Sequence, residues 1–413
     1  MTMLRMAACR WRACVSNNDE LRGISRLIVE AIEGVTDIVE TQHRTISAVA
    51  PPIGRGRGER TGGISGLVYR SIRGINRGVG VALDVALRRL PAVPALTRTS
   101  GKADSLIAIL NGVLGDHLAA QANPLAINMQ FRRDGKALPT DKTALRERLP
   151  DVGDRLLVLV HGLCMDDRGW TRDGHDHGQA LARDRGHTPV YLRYNSGRHI
   201  ADNGREFAEQ LDRLVDAWPV PIREIVLLGH SMGGLVSRSA CHWAEQHGQS
   251  WRSRLSALIC LGTPHLGAPL ERAGHWVSSV AALSPYATPF TRLAAIRSVG
   301  IRDLRDGSIL PAAMTNDDAQ PHRRAHRLEP LPEDVRCLLI AASRQKSSGS
   351  GARRPIGDGL VSVNSALGWH RDSSKRFDLV PEARQTCHAT NHLGLLSSKD
   401  VYHRLRQWLA TKR

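Results

Sequence analysis

Hydrophobic positions recur along this chain in two rhythms. Between Leu21 and Val39 the apolar residues Leu21, Ile24, Ile28, Ile32, Val35 and Val39 fall at steps of three and four. That spacing draws one stripe down a helix. Acidic Glu30, Glu33, Asp37 and Glu40 occupy its other side, and the stretch APPIGRGRGERTGG then breaks the pattern as a Pro/Gly linker. A second helical stripe follows through Ile64, Leu67, Ile72, Ile75, Val79, Leu83, Leu87 and Leu90, with Arg70, Arg73, Arg77, Arg88 and Arg89 on its polar side. PAVPALTRTSG ends it, and a third short helix is expected over Asp104–Leu118. An acidic helix beside a basic one predicts a hairpin that pairs them. The competing reading is peripheral membrane contact, with the basic helix on an anionic surface.

From about Ala126 the rhythm changes. INMQFRR, followed by the turn DGK, predicts a strand entering a hairpin. RLLVLVHG, TPVYLRYN, EIVLLG, LSALICLG and VRCLLIAAS are short runs rich in Leu, Val and Ile, as strands covered on both faces are. RFDLV is expected to be the last strand. Helices are expected over Ala201–Trp218, Gly233–Gln246 and Val401–Leu409. Strand and helix in alternation predict an α/β fold with a doubly wound, mostly parallel sheet. The expected layout is an N-terminal helical extension over 1–124 and an α/β domain over 125–413, with a cap insertion at about 267–332. No internal repeat is visible.

Composition narrows the picture. With 41% hydrophobic residues among 413, a large core can form and wholesale disorder is excluded. The net charge of +17 rests on scattered arginines, with only seven lysines and no basic block or nucleic-acid-binding motif, so a nucleic-acid partner is not expected. The seven cysteines form no C-x-x-C pair, which argues against a zinc site or redox motif and fits a reducing compartment. Cys260 and Cys337 lie inside apolar runs and read as core residues. Arg5, Arg10 and Arg12 interrupt any signal-peptide core, and no run is long enough to span a bilayer. The expected location is cytoplasmic.

In an open α/β sheet, ligands bind beyond the carboxyl ends of the strands. Beyond LLVLV stand His161, Gly162 and Leu163; beyond IVLL stand Gly229, His230, Ser231, Met232 and Gly233. In G-x-S-x-G between a strand and a helix, the small residues permit a sharp turn that lifts the serine hydroxyl clear of the sheet. Serine needs a base within reach, and the base needs an orienting carboxylate. The chain order Ser, acid, His is met by Ser231, Asp358 in GDGLV, and His392 in NHLGLL. His388 is a rival base, and Asp303, Asp306 and Asp334 are rival acids. Two N–H donors for an oxyanion are expected from Leu163 and Met232. His161, His230 and His265 are read as structural, and Cys164 as a small packed residue rather than a reactive thiol.

Taken in this order, VLVHGL, GHSMGG, GTPHLGAP, GDGLV and NHLGLL resemble the α/β-hydrolase superfamily over roughly residues 125–410. More narrowly they are similar to the bacterial lipase and esterase group that also resembles GPI inositol-deacylases. The resemblance implies the roles just given to Ser231, Asp358, His392, Leu163 and Met232. Some secreted bacterial lipases carry a calcium-binding Asp shortly after the catalytic His. HLGLL offers no carboxylate, so no structural metal is expected, and no cofactor either. Trp276, Leu283, Tyr286 and Phe290 in the cap insertion could line an acyl pocket or lid, or simply pack the cap. The expected function is hydrolysis of carboxylic esters with small-molecule or lipid-like acyl groups. Acyl transfer or thioester cleavage on the same triad, and a non-catalytic membrane-associated scaffold, are the alternatives.

Overall fold

Every residue between two covered faces of a sheet can be apolar, and the apolar runs of the second half become the middle of one sheet. The computed structural model describes residues 101–268, 298–311, 328–346 and 357–411. Of the first hundred it describes positions 22, 23, 25, 26, 29, 70, 71, 74, 77, 78, 81, 84 and 85. The chain divides into two compact units, residues 1–99 with 120–125, and residues 100–119 with 126–413.

The larger unit contains, in chain order, α1 (Gly101–Ala120), β1 (Gln130–Arg133), β2 (Lys136–Ala137), α2 (Lys142–Arg148), β3 (Arg155–Val160), α3 (His177–Arg185) and β4 (Thr188–Arg193). Then follow α4 (Ile200–Ala217), β5 (Glu224–His230), α5 (Met232–Gln246), β6 (Leu255–Leu261), α6 (Val299–Asp306), β7 (Arg336–Ala342), α7 (Val363–Ala366), β8 (Arg384–Cys387) and α8 (Lys399–Ala410). The eight strands form one sheet in the order β2-β1-β4-β3-β5-β6-β7-β8. β1 pairs antiparallel with β2 and β4. Each remaining pair is parallel.

Alternation within the apolar runs assigns each side chain to one of two layers. In β3, Leu156, Val158 and Val160 join one core and Leu157 and Leu159 the other; in β5, Ile225 and Leu227 oppose Val226 and Leu228. The first core is closed by α4 and α5, through Phe207, Leu211 and Leu214 on one and Met232, Leu235 and Val236 on the other. The second is closed by α3 and α8, through Leu181, Val401 and Leu405. Every residue of β3 and β5 after the first is buried, so register is fixed: a one-residue slip would exchange the two layers.

Two expectations change. RFDLV is not a strand; the last strand is RQTC, Arg384–Cys387, in register with Leu339–Ala342 of β7. Phe377 is instead drawn under the sheet edge, where the Arg238 guanidinium lies 4.7 Å from its ring centroid and its N–H donates to the Gly368 carbonyl at 3.0 Å. RQTC lacks an apolar pattern because an edge strand needs only backbone pairing on its inner side. The helix expected over Asp104–Leu118 spans Gly101–Ala120 and packs with the larger unit, Ile109 and Val113 joining the core of β3 and β4.

In the smaller unit the described residues of both stripes are helical. Arg22 and Arg26 meet Asp84 at 2.9 and 3.2 Å. At this contact the first stripe supplies the cations and the second the carboxylate; Glu30, Glu33, Asp37 and Glu40 lie outside the described residues. Among the described residues no helix is long and apolar enough to cross a membrane.

Candidate active site

The end of β5 and the start of α5 are joined by a single residue, Ser231. Its backbone has φ 56° and ψ −124°, a conformation that a residue with a Cβ rarely adopts. Such strain costs about 1–3 kcal/mol and persists only where the surroundings enforce it. Here the Ser231 N–H donates to the Leu261 carbonyl at 2.8 Å, and its own carbonyl accepts from Gly234 N–H at 3.0 Å. The flanking glycines are demanded by close approach. A Cβ at Gly233 would collide with the Val160 and His161 carbonyls, and one at Gly229 would lie 2.5 Å from the Gly234 nitrogen. The elbow is therefore pressed against the end of β3.

Asp358 and His392 are in contact. His392 opens the short helical turn Leu393–Leu396 that precedes α8, and its Nδ1 lies 2.7 Å from Asp358 Oδ2. Asp358 Oδ1 accepts from the N–H groups of Leu360 at 2.8 Å and Val361 at 2.7 Å. Burial alone would raise the Asp358 pKa. The charge on His392 and these hydrogen bonds outweigh it, so the carboxyl is held below its ordinary value. An ionised carboxylate so placed fixes the proton on Nδ1 and turns Nε2 into the acceptor.

Ser231 and His392 both adjoin the end of β6. Ser231 binds the Leu261 carbonyl, and a Cβ at the next residue, Gly262, would lie 3.2 Å from Cε1 and Nδ1 of the His392 ring. Gly262 has φ 59° and donates to the Ile340 carbonyl. The Ser231 hydroxyl is fully buried and makes no hydrogen bond to a described residue. The serine–imidazole bond is thus not made in this structure.

The rivals lie elsewhere. Asp303 accepts from His199 and the Ile200 N–H, Asp306 pairs with Arg305, and Asp334 sits in an exposed turn at the amino end of β7. The His388 carbonyl accepts from the Thr390 hydroxyl, four residues before the base. His161 stacks on Tyr194 with centroids 4.3 Å apart, and its Nδ1 bonds the Gly162 carbonyl. Burial pushes its pKa down to about 4. Burial likewise pushes the Cys164 thiol up to about 12, which removes it as a nucleophile near neutrality. Trp276, Leu283, Tyr286 and Phe290 lie outside the described residues.

Two contacts near His392 had no signal in the motifs. His230, inside the elbow, places Nε2 3.1 Å from the His392 carbonyl, with the two rings 4.8 Å apart. His177 places Nε2 2.9 Å from the Leu395 carbonyl and Nδ1 2.8 Å from His175 Nε2. Both follow from contacts between residues far apart in the chain, which spacing does not reveal.

Leu163 and Met232 follow two neighbouring strands. β3 and β5 are paired with Val160 beside Gly229, so the turns that follow them are neighbours. A Cβ at Gly162 would lie 3.1 Å from Ser231 Cβ. Met232 is the first residue of α5, where N–H groups have no partner within the helix. A separate cavity of about 1000 Å³ opens at the opposite, amino end of the sheet, lined by Arg155, Arg185, Arg252, Arg254 and Arg336 with Glu224. No residue of the serine site lines it.

The eight-stranded, mostly parallel sheet flanked by helices, with a sharp turn at Ser231 between β5 and α5, has the α/β-hydrolase fold. Residues 154–328 match the family model described as PGAP1-like alpha/beta domain. Among solved structures the chain is similar to the mature Bacillus licheniformis lipase BlEst2, at 16% identity and TM-score 0.40, over 69% of this chain and 98% of that one. It is also similar to the Staphylococcus hyicus lipase, at 12% identity and TM-score 0.36, over 62% and 95% of the two chains. The Pyrococcus furiosus esterase PF2001 is similar at 14% identity and TM-score 0.36, over 62% and 82%. Among curated proteins none matches the chain.

Proposed function

We propose that this protein hydrolyses carboxylic esters through an acyl-enzyme on Ser231. The observation that carries the reading is a serine held at φ 56° at the carboxyl end of β5, together with an Asp358–His392 pair that closes at 2.7 Å. The site joins strain at one buried serine with a histidine whose tautomer is fixed by a carboxylate. It suits nucleophilic catalysis.

The steps follow from the groups present. His392 Nε2 takes the Ser231 proton as Oγ attacks the ester carbonyl carbon. The carbonyl oxygen gains the electron pair and is met by the N–H groups of Leu163 and Met232. The C–O bond to the alcohol breaks, and His392 returns the proton to the leaving oxygen. Water then attacks the acyl carbon, its proton passing to His392 and on to Ser231 Oγ as the carboxylic acid departs. Asp358 stays ionised throughout and stabilises the imidazolium.

The test is labelling of the folded protein with a fluorophosphonate, together with hydrolysis of esters from short to long acyl chains. Label on Ser231 and turnover that falls by about 10⁶ in Ser231→Ala are expected. Failure of the wild-type protein to label or to turn over any ester would overturn the reading. The chain-length profile separates small esters from lipids.

A further inference from the structure

Helix α1 precedes the segment that matches the family model, yet it is seated on the loop that would hold the oxyanion. That loop, His161–Met165, is held from both sides. On one side Gly162 abuts the elbow, its Cβ position 3.1 Å from Ser231 Cβ. On the other, Cys164 abuts Gly112 of α1: a Cβ at Gly112 would collide with Cys164 Sγ and lie 2.9 Å from both the Cα and the nitrogen of Cys164. Leu163, the expected donor, lies between these two contacts.

Cys164 has φ 59°, a left-handed conformation unusual for a residue with a Cβ. Its N–H donates to Ser196 Oγ at 3.0 Å, and its thiol points to the Ile109 carbonyl of α1 at 3.8 Å. The same helix reaches the loop after β4, where Asn195 Nδ2 donates to the Gly115 carbonyl at 2.8 Å. Ser105 of α1 donates to Asp166 at 3.1 Å, and Ser298 donates to the Gly112 carbonyl at 2.8 Å. A backbone held in a strained conformation needs such over-determination.

We infer that α1 is part of the catalytic frame and that Gly112 is a positioning residue for the oxyanion loop, acting through Cys164 on the Leu163 N–H. The inference rests on the serine-hydrolase reading. Oxyanion donors work only when aimed at the transition-state oxygen, and a displacement near 1 Å costs on the order of a hundredfold in rate. A methyl group at Gly112 must displace the Cys164 backbone, because the helix is pinned at Ser105, Gly115 and the Gly112 carbonyl.

The test uses the full chain. Gly112→Ala should lower kcat for a short-chain ester about tenfold or more, with KM within about twofold. Affinity for a boronic acid, which forms a tetrahedral adduct on the serine, should fall in step with kcat. Ser196→Ala, which removes the acceptor of the Cys164 N–H, should shift both quantities in the same direction by less, and it decides the matter if Gly112→Ala does not fold. Cys164→Gly added to Gly112→Ala should restore part of the loss by removing the side-chain collision. Folded Gly112→Ala or Ser196→Ala with wild-type kcat and boronate affinity would overturn the inference. So would a loss confined to KM or to thermal stability. If the wild-type protein neither labels with fluorophosphonate nor cleaves esters, the hydrolase reading itself has failed, and this one falls with it.

Discussion

Replacing Asp358 by asparagine tests the site with almost no change in shape. The structure dictates how the amide must sit. Asp358 Oδ1 accepts two backbone N–H groups, from Leu360 and Val361, while Oδ2 accepts one, from His392 Nδ1. An amide has one acceptor oxygen and one donor nitrogen. Placing its NH2 toward Leu360 and Val361 would oppose two donors with a donor, so the oxygen keeps that side. The NH2 then faces His392 and requires Nδ1 to accept. The imidazole proton moves to Nε2, the atom that must take the Ser231 proton. Catalysis should fall by about 10⁴, the size of the effect when a triad carboxylate becomes an amide. That corresponds to about 5.4 kcal/mol of transition-state stabilisation. The assay is kcat/KM for a short-chain p-nitrophenyl ester, with circular dichroism to confirm folding. KM should change little, because the carboxylate touches no substrate. Folded Asp358→Asn protein within about tenfold of wild type would refute the assignment of tautomer control to Asp358.

Other outcomes follow from the same geometry. Ser231→Gly should abolish ester cleavage and raise stability by about 1 kcal/mol, because glycine adopts φ 56° without a Cβ penalty; a lower denaturation midpoint would contradict the strain argument. Buried His161 and His177 have pKa values pushed down to about 4 by desolvation, and His230 is pushed to about 3 by burial and the neighbouring His392. The unfolded chain protonates these groups near the ordinary value of 6.5, so their folded-state stability is complete above that pH and is lost as pH falls toward 4. Each contributes up to about 1.4 kcal/mol per pH unit in that window, and a urea midpoint unchanged between pH 7 and pH 5 would count against it. The Asp358 contribution, from a depressed carboxyl, persists through this window and is lost only as pH drops below the ordinary carboxylate range.

How much of this the sequence carried differs from residue to residue. Apolar runs identified β3, β5, β6 and β7, and the turn chemistry around Ser231 identified the elbow. Both are local signals: a strand between two layers must be apolar, and a tight strand-to-helix turn needs small neighbours. Asp358 and His392 are candidates by chain order and by the motifs GDGLV and NHLGLL, with His388, Asp303, Asp306 and Asp334 beside them. Tertiary packing separated them, because only Asp358 is carried to His392 by the pairing of β7 with β8. RQTC was invisible as a strand because edge pairing uses backbone groups that every residue has. RFDLV misled because Phe377 is apolar for a different reason, its contact with buried Arg238.

The sequence by itself determined the layered α/β class, the position of the elbow and a short set of candidate nucleophile, acids and bases. These depend on periodicity and on short-range sterics, which are written in neighbouring residues. Only the tertiary structure decided which acid meets the histidine, which strand closes the sheet, and that α1 belongs with the α/β unit rather than with the two helical stripes before it. Those choices depend on contacts between distant segments, such as Gly112 against Cys164, where one missing methyl group permits an approach that no local pattern announces.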